Sequence, residues 1–477
     1  MIYLTVDFGS TYTKLTVIDG KAKKILGTSS AFTTISSDVM CGFEKALSTL
    51  KQKIGEFQYD KLLICSSAAG GLKMVALGLV PDLTAKAAKM AAASAGAKVI
   101  KTYAYEISRS EAEEISQIQP DIVLLCGGTD GGNKAVVLAN AHRLAQSKVP
   151  FAIIYAGNKS ASDEVADIFT AANRDFIITD NVMPQFNVLN TVPAKECIHK
   201  LFITRIIQAK GLSRVQNLTE YEIIPTPLAV LNACELLSQG TNQSKGIGDF
   251  MAIDIGGATT DIYSMSRGYP SIDNVMYKGL PEPYGKRTVE GDLGMRYSLT
   301  SLLENINLDL LSKTTGIPAT QINEWVEACD KEPNRIAPPT STAAMIEQIL
   351  ARQAVQLAVE RHVGVYTKAF TPMGEVYTLS GKDLINIPSV IGIGGVIVNS
   401  QNPISILRGC LYSASSYEYA KPKSPQFLCD SKYIFASMGL LSLVDPELAL
   451  SLLKQEIKIL TLDTKHYENS KQKIVTR

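Results

Sequence analysis

Val6-Asp-Phe-Gly-Ser-Thr-Tyr-Thr-Lys14 recurs in form as Ile253-Asp-Ile-Gly-Gly-Ala-Thr-Thr-Asp261. In each, an apolar run ends in aspartate, the chain turns through glycine, hydroxyl residues follow and a second apolar run begins. The pattern predicts strand, turn and strand, twice over. A glycine turn exposes backbone N–H groups as a nest that suits phosphate oxygens. Ser10, Thr11, Thr13, Thr259 and Thr260 add hydroxyl donors. Asp7 and Asp254 end their strands where they can hold Mg²⁺ through water, since Mg²⁺ takes oxygen ligands and keeps its hydration shell. Lys14 is a compact cation for phosphate charge. One such loop alone reads equally well as a plain hairpin turn. A third element, Val390-Ile-Gly-Ile-Gly-Gly-Val-Ile-Val398, ends a buried strand in Gly394 and Gly395, where a flat ring can approach the backbone. By itself it reads as a tight turn.

The surrounding chain has 477 residues, too many for one compact core and suited to roughly three domains. Apolar residues make up 46% and charged residues 19%, a globular composition that excludes a disordered, collagenous or disulfide-scaffold protein. Forty-seven Lys+Arg balance forty-six Asp+Glu for a net charge of +1. Nothing in that balance points to nucleic acid. The eight cysteines form no Cys-x-x-Cys pair and read as thiols in a reducing cytosol. The four histidines are scattered, and none is assigned a metal. Met1-Ile-Tyr-Leu-Thr-Val-Asp7 reads as a strand rather than a signal peptide. The stretch Leu384–Val398 is broken by Asn386, Pro388 and glycines and falls short of the ~20 residues of a membrane span. A soluble, cytoplasmic protein with no membrane partner is expected.

Along the chain, short strands with an Asp19-Gly20 hairpin open the sequence. Asp38 is placed to cap a helix over Val39–Leu50, and Lys61–Cys65 reads as a buried strand. Pro81–Gly96 reads as one Ala-rich helix ended by Gly96. Strands at 99–105, 121–126, 151–155 and 176–179 then alternate with helices, which suggests a small parallel-sheet module. A helix is expected over 191–210, a strand at 221–225 and a helix at 228–237. The polar 241–248 marks a boundary. Strands at 250–254 and 261–265 follow, then a long helix near 342–362 and strands at 376–379 and 390–393. Gly127-Gly-Thr-Asp-Gly-Gly-Asn133 follows a strand and opens a helix. It reads first as a turn capped by Asp130 or Asn133, and second as an anion or partner contact.

Three such elements in this order resemble the actin/Hsp70/sugar-kinase ATPase superfamily: Asp7–Lys14 its first phosphate loop, Asp254–Asp261 its second, Ile391–Val396 its adenosine loop. Tyr221-Glu-Ile-Ile-Pro-Thr-Pro-Leu-Ala-Val230 resembles the strand–helix before the second loop. The resemblance implies an α/β fold of two ribonuclease-H-like (actin/Hsp70-type) ATPase domains with an inserted small α/β module. It places the first ATPase domain at 1–96 and 183–240, the module at 97–182, the second domain at 241–423, and a segment at 424–477 packing back on the first. Asp7-Phe-Gly-Ser-Thr-Tyr-Thr-Lys-Leu-Thr, Ala31-Phe-Thr-Thr, Cys126–Asn133, Glu290-Gly-Asp-Leu-Gly-Met-Arg296 and Ile393–Asn399 are similar to the GlmL/MutL family.

That family resemblance implies ATP-dependent reactivation of an adenosylcobalamin-dependent mutase such as glutamate (methylaspartate) mutase or an aminomutase, by release of damaged cobalamin. It implies ATP and Mg²⁺ as cofactors, with Asp7 and Asp254 associated with the metal or orienting water. Gly9, Ser10, Thr11 and Thr13 would cradle the β-phosphate with Lys14. Gly256, Gly257, Thr259 and Thr260 would face the γ-phosphate, and Gly394 and Gly395 the adenosine. Glu290, Asp292 and Arg296 fall beside the ribose, a reading that stands level with plain helix-start charge. Glu222 is the only candidate for a further water-positioning acid. A small-molecule kinase and a non-catalytic ATP-binding scaffold are the alternatives. The DNA mismatch-repair protein also called MutL is rejected, since neither loop carries the second glycine of its Asp-x-Gly-x-Gly motif. The client mutase, direct cobalamin contact and the choice between monomer and homodimer stay open.

Overall fold

The structure, a computed structural model, describes residues 1–33, 39–67, 73–202, 215–372 and 374–461. Strands β1 (Ile2–Phe8), β2 (Tyr12–Asp19), β3 (Lys24–Phe32) and β4 (Lys61–Ser66) come first. They precede helix-linked β5 (Lys73–Gly78), β6 (Lys98–Ala104), β7 (Ile122–Leu125), β8 (Ala152–Tyr155) and β9 (Phe176–Ile178). Then come β10 (Ile224–Pro225), β11 (Phe250–Ile255), β12 (Thr260–Met265), β13 (Val275–Tyr277) and β14 (Gly285–Glu290). β15 (Val365–Thr371), β16 (Gly374–Ser380), β17 (Ser389–Ile393), β18 (Gln426–Cys429) and β19 (Lys458–Ile459) close the series.

The quoted echo is an echo of topology. One sheet runs β10-β4-β1-β2-β3 and another β14-β12-β11-β17-β18-β19. In the first, β1–β2–β3 form an antiparallel meander, and β4 and β10 add in parallel. In the second, β11–β12–β14 repeat the meander, and β17 and β18 repeat the parallel pair. Asp7 stands opposite Lys14 in one ladder and Asp254 opposite Asp261 in the other. The fold is therefore α/β with two ribonuclease-H-like halves of actin/Hsp70 type.

Helices cover these sheets: α1 (Val39–Ile54), α2 (Lys86–Ser94), α3 (Ala135–Ala145), α4 (Thr226–Gln239), α5 (Thr342–His362), α6 (Phe435–Leu441) and α7 (Pro446–Glu456). α5 starts at Ser341, whose side chain accepts from Ala344 N, and it buries Leu350, Ala351, Ala354 and Val355. α4 and α6 follow the matched strands β10 and β18, and they pack on each other. Where they cross, a Cβ on Gly439 would lie 1.7 Å from Ala229 O, so only glycine fits.

A parallel sheet in the order β6-β5-β7-β8-β9 makes the small module. β7 and β8, Ile-Val-Leu-Leu and Ala-Ile-Ile-Tyr, are buried throughout, as befits strands covered on both faces. β5 (Lys73–Gly78), which lies between β6 and β7 in the module's sheet, precedes residue 97 and is not among the strands the sequence predicts. The Ala-rich helix is also divided. Pro81–Ala85 forms a π-helical turn and α2 only begins at Lys86; here the backbone of Gly78 passes so close to Ala85 that a Cβ there would be 2.2 Å from its N. The strand expected at 221–225 shortens to β10. Residues 376–379 pair with β13 and β15 in a separate three-stranded sheet rather than with 390–393. β18 joins the second sheet, whereas α6 and α7 pack on α4. Asp38, Thr34, the end of the 191–210 helix and the last residues of the chain lie outside the described residues.

Candidate functional site

β1, β11 and β17 are parallel-pairing strands whose C-terminal ends carry the three glycine turns. Ligands in open α/β sheets bind outside such ends. The two echoed turns close alike: Gly9 N donates to Tyr12 O at 3.1 Å, and Gly256 N to Thr259 O at 2.9 Å. A Cβ on Gly9 would lie 2.6 Å from Tyr12 O. The turns also face each other, since a Cβ on Gly257 would lie 3.1 Å from Thr11 Oγ1. That hydroxyl is buried and has no hydrogen-bond partner. Gly394 has φ +89° and lies against Asp254, with a Cβ there 2.5 Å from Asp254 Oδ1.

Asp7 is buried and held from three sides. Thr226 Oγ1 donates to its Oδ1 at 2.6 Å, the Cys65 thiol donates to the same oxygen at 3.6 Å, and Lys14 Nζ stands 3.6 Å from Oδ2. Burial and the adjacent Asp7 charge push the Cys65 thiol well above its ordinary value. Asp254 is pushed up to about 7, first by burial and then by the Asp261 carboxylate, while Lys14 pulls the other way.

Not every sequence-expected residue faces this opening. Ser10 and Thr11 stay in the turn, but Thr13 is fully buried with its Oγ1 3.0 Å from Thr33 Oγ1. Thr260 Oγ1 donates to Leu293 O at 2.6 Å, and Thr259 Oγ1 to Asp261 Oδ2 at 2.9 Å. Glu290 and Asp292 are gathered by Arg361, whose Nη1 lies 2.8 Å from Glu290 Oε2 and 2.8 Å from Asp292 Oδ1. Arg296 pairs with Glu347 at 2.7 Å. Glu222 is exposed, 4.0 Å from His199, and lines a separate cleft with Lys195 and Tyr221 that contains none of the glycine-turn residues. In the module's glycine loop, Asp130 accepts from Lys159 N and from Asn181 rather than capping α3.

Sequence reading missed Thr226, Asp430 and Tyr433. Asp430 follows β18, is fully buried, and accepts from Ile434 N and Phe435 N at 2.6 and 3.0 Å through Oδ2. Tyr433 places its ring under the Lys14 amine, 3.4 Å from Nζ to centroid. An extension of the echo would have found the first two. The strand–helix Ile224–Thr226–α4 is answered by β18–Asp430–α6.

A family model described as "MutL protein" matches residues 3–457. The Protein MutL of Clostridium tetanomorphum is 46% identical over 458 residues, covering 95% of this chain and 98% of that protein. Among solved structures, the activator of the 2-hydroxyisocaproyl-CoA dehydratase from Clostridium difficile with bound ADPNP is 10% identical. It covers 97% of this chain and 100% of that chain at a TM-score of 0.29. A glycerol dehydratase reactivase is 10% identical, covering 92% of this chain and 99% of that chain at a TM-score of 0.32.

Proposed function

The chain belongs to the MutL protein family, the glutamate mutase accessory family rather than the mismatch-repair protein of that name, and on that premise we propose that it is an ATP-dependent reactivating chaperone. Its client would be an adenosylcobalamin-dependent mutase, glutamate (methylaspartate) mutase or a related aminomutase, from which it promotes release of damaged cobalamin. The observation that carries the ATPase part is the apposition of the two glycine turns, with unpartnered Thr11 Oγ1 against Gly257 and an aspartate at the base of each turn.

The donor set fits Mg-ATP. Backbone amides and Ser10 and Thr11 hydroxyls suit phosphate oxygens, and Lys14 adds positive charge. Among the described residues no group of three His, Cys, Asp or Glu comes together to hold a metal directly. Asp7 and Asp254 would accordingly reach Mg²⁺ through its waters. When bound, Mg-ATP supplies the phosphoryl group and the cation charge. This chain's part is to position: Thr226 and Cys65 fix the Asp7 carboxylate, and Gly394 leaves room beside Asp254. Such catalysis is mostly positioning and electrostatics. We assign Gly394 and Gly395 to the adenosine side, and keep Glu290 and Asp292 at the ribose edge as held by Arg361. The parallel-sheet module is proposed as the surface that touches the client, because a minimal ATPase of this fold does not need it. Closure of the two halves on nucleotide would bias the bound client by differential affinity.

ATP hydrolysis without any small-molecule acceptor, stimulated by purified mutase, is the expected behaviour. Strict dependence on a sugar or acid acceptor would instead mark a kinase. Asp7→Ala and Asp254→Ala should each lower turnover by about 100-fold or more with the fold kept. Full activity in both would remove the site.

A further inference from the structure

Asp430 and Tyr433 belong to one tight turn at the C-terminal end of β18, and neither is accounted for by the nucleotide site as proposed. Tyr433 N donates to Asp430 O at 3.1 Å, and Tyr433 holds φ +57°, a left-handed conformation unusual for a bulky residue. Asp430 Oδ2 is committed to the first amides of α6, but Oδ1 is buried without a hydrogen-bond partner. A buried carboxylate oxygen left unpaired is costly unless a charge faces it. Burial pushes the Asp430 carboxyl up to about 6; the amides of Phe435 and Ile434 pull it back, and so does the Lys14 charge, which acts in the same sense on Asp254, itself raised by burial. The Lys14 amine rests on the Tyr433 ring and stands 3.6 Å from Asp7. A cation over a tyrosine face is attracted by the ring quadrupole, more so when desolvated.

We propose that Asp430 and Tyr433 are positioning residues that seat the Lys14 amine between the two aspartates, so that it points into the cleft before nucleotide arrives. This inference rests on the ATPase reading for its consequence, not for its geometry. Asp430 acts through Lys14 and touches no reacting atom. Partners that orient the ligands of a metal typically cost 10–100-fold when changed, and the same scale is expected for residues that orient Lys14.

The nucleotide-free protein tests the seat directly. With lysine labelled at Cε, the Lys14 resonance, assigned by its loss in Lys14→Arg, is expected well upfield of the other lysines because of the ring beneath it. Tyr433→Leu should return it to the common position. Asp430→Asn, which keeps an acceptor for the α6 amides, should also move it back part of the way. In steady-state ATP hydrolysis Asp430→Asn should lower kcat about tenfold or more with KM changed far less. It should cost nothing further in a Lys14→Met background. An unshifted Lys14 resonance, or one indifferent to Asp430→Asn, would overturn the proposal. So would an equal loss from Asp430→Asn with and without Lys14, the mark of a helix cap alone. A wild type that binds and hydrolyses no ATP would overturn the ATPase reading instead, and the lysine resonance would still decide this one.

Discussion

Asp254 concentrates the electrostatics of the cleft. Its carboxyl titrates at about 7 in the folded chain against 3.8 for the unperturbed group. Between those values the folded state holds the extra proton. The group's ionisation therefore subtracts stability progressively as pH rises from about 4 to about 7, and in full above that. Asp254→Asn removes the penalty. Thermal unfolding of the nucleotide-free protein should show the variant more stable than wild type at pH 8, with the gap shrinking toward pH 5. A gap that widens on acidification would contradict the assignment. The charge pattern also explains what single residues disclosed in the sequence. Asp7, Lys14 and Asp254 were legible because each ends or opens an apolar run. Thr13 and Thr260 looked like phosphate donors because a hydroxyl near a turn gives no sign of which face of the strand it takes. Alternation along a strand sends every second side chain inward, and both are buried against the interior.

At the scale of elements, the crossing of α4 and α6 is a close contact between the halves. The Gly439 α-carbon sits so close to Ala229 that an added methyl would be 1.7 Å from its carbonyl oxygen. Gly439→Ala should cost about 3 kcal/mol or more in chemical denaturation, because overpacked helices must separate. A loss within about 0.5 kcal/mol, the scale of ordinary surface changes, would mean the crossing has room to adjust. The first β-meander and the β11–β12 pair were legible from short apolar runs with glycine turns, and α5 from its length; β14 (Gly285–Glu290), the third strand of the second meander, was not. β5 was not, because Lys-Met-Val-Ala-Leu-Gly78 is short, without alternation, and follows a glycine pair that reads as loop. Short apolar runs do not declare themselves by period. β18 escaped for the same reason, and Asp430 with it.

Across the whole molecule, Arg287 links parts that are far apart in sequence. Its Nε and Nη2 lie 2.8 and 2.6 Å from Asp261 Oδ1, and Nη1 donates to Ala93 O and Ala97 O beside α2. Both charges are buried. Removing one partner of such a pair leaves the other uncompensated and typically costs 3–5 kcal/mol, whereas replacing both by apolar residues is often close to neutral. Arg287→Met should therefore be strongly destabilising in urea, and Arg287→Met with Asp261→Leu should recover most of the loss. Simple addition of the two single effects would show that the pair is not a unit. The module packed through α2 against β14 is thus tied to the second half by a charge and by the helix face around it. The order β6-β5-β7-β8-β9 was not legible, because strand order is set by crossovers that composition does not encode.

The central claim is that ATP binding in the cleft is used to restore a cobalamin mutase. Its most direct test starts from glutamate mutase inactivated with bound hydroxocobalamin. This protein, Mg-ATP and fresh adenosylcobalamin are added, and mutase activity is followed. Recovery that requires ATP and fails with Asp7→Ala is the expected result. No recovery while ATP is still hydrolysed, or recovery that proceeds equally without ATP, would contradict it.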